Sequence, residues 1–263
     1  LGVLVFASLV QTCQAVEFDV TLGDEFAEVP VSGRLFVFLS ANRQPEPRLG
    51  PNWFKSEPFF AIDVVDMQPG STRRIDALAD GFPTTLDKLA PGTYYAQALI
   101  DYQRDSSRRG RAPGNFYSSV VRVVHNQQSN ARIALELDSV VPDESFPVVG
   151  WLREVVLLSP LLSRFHGFDV YHRAGVVLPA SYLTNTSRRY PVIYSIPGFG
   201  GTHRDALRHA DAAPVAETGE VEFIRVMLSG DCLWGHHCFA DSATNGPRGQ
   251  SLVEELIPYL DQT

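Results

Sequence analysis

Apolar and polar residues alternate with a period of two along much of the first half of the chain. Residues 93–102 are the clearest case. Tyr94, Ala96, Ala98, Ile100 and Tyr102 fall on one face, and Tyr95, Gln97, Leu99 and Asp101 on the other. That period marks a β-strand with one face buried. The same reasoning predicts strands over 33–40, 59–67, 71–78, 115–124 and 131–140, several of them rich in β-branched and aromatic residues. Pro69-Gly70 and Pro91-Gly92 are turn dipeptides, and residues 41–58, with four prolines, read as a long surface loop. Short strands at this spacing, with no helical period, predict an all-β, Ig-like sandwich over 16–141. Its aromatic residues Trp53, Phe54, Phe59, Phe60, Tyr94 and Tyr95 read as core rather than as a ligand platform. The loop 104–114 holds Arg104, Arg108, Arg109 and Arg111. It reads as a solvated hairpin tip, with anion binding as the alternative.

The pattern changes at the segment PDESFP, 142–147, so 142–150 is taken as a linker. Beyond it, strands are predicted over 154–158, 168–178, 191–195 and 222–228, and a polar-to-helical stretch over 202–217. Residues 249–261 predict a helix. Leu252, Val253, Leu256, Ile257 and Leu260 form its apolar stripe, and Pro258 interrupts its backbone bonding late. Strand alternating with helix predicts a parallel sheet, so 151–263 reads as an incomplete α/β domain.

Composition narrows the compartment and the partners. Charged residues number 22 basic and 30 acidic, a net charge of −8, which argues against nucleic acid as the partner. No interior run approaches the roughly 20 apolar residues of a membrane span. Residues 1–15, LGVLVFASLVQTCQA, read as the tail of a signal peptide and imply a secreted or periplasmic protein. Cys13 as a lipoprotein cysteine fits less well, because Val10-Gln11-Thr12 is a poor small-residue box. In an exported chain Cys232 and Cys238 are the candidate disulfide pair. Asn185-Thr186-Ser187 is a formal glycosylation acceptor.

The candidate chemistry centres on YPVIYSIPGFGGT, 190–202. A buried strand breaks into a loop with Gly198, Gly200 and Gly201 around Phe199, where backbone N–H groups can converge on one spot. A phosphate loop would want Lys and Ser/Thr at the helix start, and Thr202-His203-Arg204 does not supply them. An oxyanion loop needs only backbone N–H groups. His203 and His209, just after the loop, read as surface residues. Cys232, His236, His237 and Cys238 lie within seven positions, but adjacent histidines diverge and the spacing is not a usual zinc pattern, so neither metal nor cofactor is expected. Ser251, in Gly249-Gln250-Ser251, and Ser71 are not credible nucleophiles: the first follows no strand, and the second lies in the β domain.

LPASY at 178–182, RYPVIYSIPGFGGT at 189–202, DSATNGP at 241–247 and LVEELIPYL at 252–260, in this order, resemble an esterase family of α/β-hydrolases. The family includes S-formylglutathione hydrolases, enterochelin esterases and feruloyl or acetyl-xylan esterases. The resemblance spans roughly 175–260. It implies the N-terminal part of a secreted serine esterase that hydrolyses carboxylic esters or thioesters through an acyl-enzyme. Phe199 and Gly200 would form the oxyanion hole, and Trp234, His236, His237, Asp241 and Ser242 a wall of the substrate pocket. The substrate would be a small-molecule or carbohydrate ester. Pro197 departs from the family's usual His. The Ser-Asp-His triad is expected beyond Thr263, so residues 1–263 alone are expected to be inactive. The alternative is a non-catalytic carbohydrate-binding protein on a hydrolase-like scaffold.

Overall fold

Phe18, Val20, Leu22, Leu35, Val37, Leu39, Phe60 and Leu137 come from four strands and meet in one buried cluster. They organise the first of two compact units, residues 1–103 with 108–143; the second comprises 104–107 with 144–263. The computed structural model describes residues 16–25, 29–51, 54, 56–103, 105–126, 131–185, 187–216 and 219–262. The expectations placed on 1–15, Cys13, Trp53, Arg104 and Thr186 fall outside these residues.

The first unit contains β1 (Glu17–Leu22), β2 (Val31–Ser40), β3 (Phe59–Met67), β4 (Thr72–Ile75), β5 (Asp80–Phe82), β6 (Gly92–Asp101), β7 (Phe116–Ser118), β8 (Val121–His125) and β9 (Arg132–Val140). They form one nine-stranded sheet in the order β4-β1-β9-β7-β6-β2-β3-β5, with β8 paired to β6. Alternation sorts the side chains of β2. Leu35, Val37 and Leu39 enter the main cluster, whereas Phe36 and Phe38 stack on the opposite face with centroids 5.4 Å apart. Each fully buried Leu or Phe contributes roughly 1.5–3 kcal/mol.

This corrects the expected two-sheet Ig-like sandwich. The sheet is continuous and curls into a half-barrel. The stretch 115–124 is two strands rather than one. β8 pairs with the first half of β6, Gly92 to Ala96, and β7 with Leu99 and Ile100 near its end. One strand therefore carries both, and no second sheet separates. β1 closes on β9 in parallel, which brings Phe18, Val20 and Leu22 over the core. Among the aromatic residues expected in the core, Phe60 is buried and Phe59 half-buried, but Phe54 is 99% exposed. In the arginine loop, Arg109 is committed to the fold. Its guanidinium lies 3.2 Å from Asp101 and 5.3 Å from the Phe36 ring centroid. The buried Asn115 secures that loop, donating to Asp101 Oδ1 and to the Arg109 carbonyl, each at 2.9 Å.

The second unit contains β10 (Leu152–Leu158), α1 (Pro160–His166), β11 (Tyr171–Val177), β12 (Val192–Ser195), β13 (Ile224–Leu228), β14 (Asp231–Cys232), β15 (Gly235–His236), α2 (Arg248–Ser251) and α3 (Ile257–Gln262). A π turn, Leu252–Leu256, joins α2 to α3. The main sheet runs β10-β11-β13-β12, and only β12 and β13 are parallel. The expected α/β-hydrolase part with a parallel sheet is therefore also corrected. The described chain is mostly β, with 38% strand and three short helices. The segment after β12 forms only the 3₁₀ turn His203–His209, because 202–217 lacks a sustained apolar stripe and ends near Pro214. No described helix is long and apolar enough to cross a membrane.

Ser159 caps α1 by accepting from the Leu162 N–H at 3.2 Å, Pro160 opens the helix, and Gly167 ends it at φ +76°. Glu255 of the π turn accepts from the Leu161 N–H at 2.9 Å and from the Ser159 hydroxyl, and lies 3.4 Å from His172 Nε2. That carboxylate fastens the C-terminal helical segment to the start of α1. The 3₁₀ turn is fastened differently, by close approach to β11. A Cβ on Gly175 would lie 2.5 Å from Ala206 Cβ and would press into the His203 carbonyl. Gly175→Ala is therefore expected to destabilise the second unit by about 1–3 kcal/mol. A lower denaturant midpoint at unchanged m-value would show it, and an unchanged midpoint would contradict the packing described.

Candidate functional site

Two loops leave the carboxyl ends of the parallel pair β12 and β13, and they carry most of the site residues expected from sequence. The first is 196–202. The Gly201 N–H donates to the Gly198 carbonyl at 2.9 Å, and Gly200 has φ +80°. A positive φ at the third residue of a hydrogen-bonded four-residue turn, but not at the second, is a type II turn, and glycine is the residue that adopts it without strain. Pro197 lies against Gly201 so closely that a Cβ there would collide with it. The closing bond uses the Gly201 N–H, not those of Phe199 and Gly200. The Phe199 ring is 69% exposed.

The second loop, 229–247, begins with the β14–β15 hairpin. The Phe199 ring meets this hairpin: Cε2 is 3.5 Å from where a Cβ on Gly235 would stand, and Gly235 itself has φ +113°. Trp234, next to it, is 70% exposed. The structure therefore brings Phe199, Gly200 and the Trp234–Gly235 tip together.

The remaining expected wall residues serve the loop itself. His237 is buried; its Nδ1 accepts from the Phe239 N–H at 3.0 Å, and its ring is held by the Ser229 backbone. Burial, followed by the positive field of Arg248, pushes its pKa down to about 3, so the ring is neutral at pH 7. His236 Nδ1 accepts from the Cys238 N–H at 3.1 Å and lies 3.2 Å from the Cys238 sulfur. Its Nε2 is buried without a partner, and the ring fills the space a side chain at Gly230 would need. Asp241 is the cap of α2, accepting from the Gly249 and Gln250 N–H groups at 2.6 and 3.1 Å. The Ser242 hydroxyl accepts from the Asn245 N–H at 2.9 Å and closes a local turn.

Cys232 and Cys238 are not joined in this structure. Cys232 is buried with its sulfur 3.6 Å from Asn245 Oδ1, whereas Cys238 is exposed at φ +51°. Among the described residues, no three His, Cys, Asp or Glu side chains gather as metal ligands. Nor does any described serine hydroxyl bond a histidine ring. His203 corrects the surface expectation: it is buried, with Nε2 2.9 Å from Glu154 Oε1 and its ring stacked on Phe146. Burial lowers its pKa, against the opposing pull of Glu154. His209 is half-buried, and its carbonyl accepts from the Trp151 indole at 2.9 Å.

One residue of this region escaped the sequence reading. Arg248 is 8% exposed, and its Nε donates to the Asn245 carbonyl at 2.9 Å. A usable signal was present. Arg248 opens a helix, where the macrodipole disfavours a cation, so a basic residue there needs a separate reason. No family model matches this chain, and no curated protein matches it.

Proposed function

We propose that the 197–201 loop stabilises the oxyanion of ester hydrolysis by a serine esterase. In this reading a serine oxygen attacks the substrate carbonyl carbon and its proton passes to a histidine. The carbonyl oxygen, now negative, is held by the Phe199 and Gly200 N–H groups. Collapse expels the alcohol or thiol, which takes that proton, and water then releases the acyl group. The triad lies outside residues 1–263 in this proposal, so these residues supply anion stabilisation and one wall, not the nucleophile. The observation that carries the reading is the type II turn beyond β12. Its closing bond uses the Gly201 N–H rather than those of Phe199 and Gly200, and it lies beside an exposed aromatic tip. A polypeptide that includes the triad is expected to hydrolyse p-nitrophenyl acetate and to be labelled covalently by a fluorophosphonate. Hydrolysis without labelling would refute the serine mechanism; absence of both would refute the esterase reading.

A second reading, a non-catalytic carbohydrate binder, is favoured by the exposure of Phe199, whose ring meets Gly235, and of Trp234, its neighbour in sequence. Aromatic faces stack on sugar rings as readily as they line an acyl pocket. Saturable quenching of tryptophan fluorescence by oligosaccharide, unaccompanied by hydrolysis, would decide for it.

A further inference from the structure

Burying a guanidinium without a carboxylate is costly, because its charge persists at every accessible pH and it offers five N–H donors. Arg248 is buried in this way in the second unit. One donor is satisfied, Nε to the Asn245 carbonyl. Among the described residues, neither terminal nitrogen has a protein acceptor, and no carboxylate forms an ion pair with it. Those nitrogens are also absent from the sealed, partnerless polar atoms of the fold, so solvent reaches them. The surrounding groups do not neutralise the charge. Cys232 and Asp105 are the anionic or acidic groups whose fields it feels. Asp105 is shared with Arg173 at 3.6 Å. Burial raises the Cys232 thiol, which keeps it neutral. His172 and His237, which feel the Arg248 charge, are held neutral by burial.

From this geometry we infer that Arg248 is the anchor of a binding site for a small monoanionic carboxylate, seated on its two terminal nitrogens. A planar guanidinium fork matches the two oxygens of a carboxylate. A phosphate dianion fits less well. Arg248 supplies a single charge, the Arg173 charge is engaged by Asp105, and the neighbouring helix amides of Gly249 and Gln250 are taken by Asp241. This inference stands apart from the esterase reading.

The test uses residues 1–263 and acetate as the probe, titrated at constant ionic strength against chloride while the Arg248 Nε–H resonance is followed by NMR. The expected result is a saturable shift with acetate, none with chloride and a weaker one with phosphate. Arg248→Lys, which keeps the charge and loses the fork, is expected to bind acetate about tenfold less tightly, read from the acetate-induced rise in melting temperature. An Arg248 resonance that acetate leaves still would overturn the inference, using the unmodified chain alone. Equal responses to acetate and chloride, or a stronger response to phosphate, would also overturn it. Because none of these readouts involves hydrolysis, they are independent of whether the esterase proposal survives.

Discussion

Between pH 6.5 and about 3 the second unit is expected to lose stability steeply, by roughly 4–5 kcal/mol through His237 alone. The folded ring is pushed down to about 3 by burial and then by the Arg248 charge, while an unfolded histidine titrates near 6.5. Below 6.5 the unfolded chain therefore takes up a proton that the folded chain refuses. Its stabilising contribution is complete above 6.5, falls by about 1.4 kcal/mol per pH unit, and is lost once the pH passes the folded value. Burial shifts His172 and His203 in the same direction, which steepens the fall. Asp101 of the first unit works the other way. Burial raises its pKa, so acid favours its folded form. For that reason the decisive comparison is between the native chain and His237→Gln. Denaturant unfolding of the second unit across this range is expected to show a shallower pH slope in the variant, whatever its absolute stability. Equal slopes would mean that His237 is protonated in the folded state. A loss of this size matters because domains of this size hold only about 5–15 kcal/mol in total.

Under the esterase proposal, Phe199→Pro in a polypeptide that includes the triad is expected to reduce kcat on the order of 10²–10³-fold relative to Phe199→Ala. The comparison rests on the turn. Phe199 occupies the second position of a type II turn, where proline's fixed φ is favoured, so the backbone tolerates the change. Both variants lose the ring, and only the proline variant also loses the N–H. The difference between them therefore reports one oxyanion donor rather than the contact with Gly235. If the two variants turn over equally, the Phe199 amide holds no oxyanion.

The strands were legible where alternation was strong. The 59–67 strand matches β3 residue for residue, and 131–140 overlies β9. The arrangement of strands into sheets was not legible. Whether β6 supports one neighbour or two depends on where β7 ends, a break at Ser119 that the following Val120, Val121, Val123 and Val124 hide. β1 went unread although Phe18, Val20 and Leu22 alternate, because its six residues fall outside the longer runs. In the second unit the helix 249–261 was visible in its stripe, but the sheet beside it is mixed, since strand direction leaves no trace in a hydrophobic pattern. The glycine loop was readable as a turn. Sequence could not show that His237 and Asp241, polar residues beside a loop, are used up in shaping it. Arg248 was missed because an arginine after Gly246-Pro247 reads as surface, although its place at a helix start argued otherwise.

The most direct test of the proposed oxyanion role is to follow the Phe199 and Gly200 amide resonances while a phenylboronic acid binds a polypeptide that includes the proposed nucleophile. The tetrahedral boronate places an oxygen where the oxyanion forms. The expected result is a downfield shift of both amide protons that saturates together with inhibition. Inhibition that leaves both resonances unmoved would contradict the assignment, because the stabilising donors would then lie elsewhere.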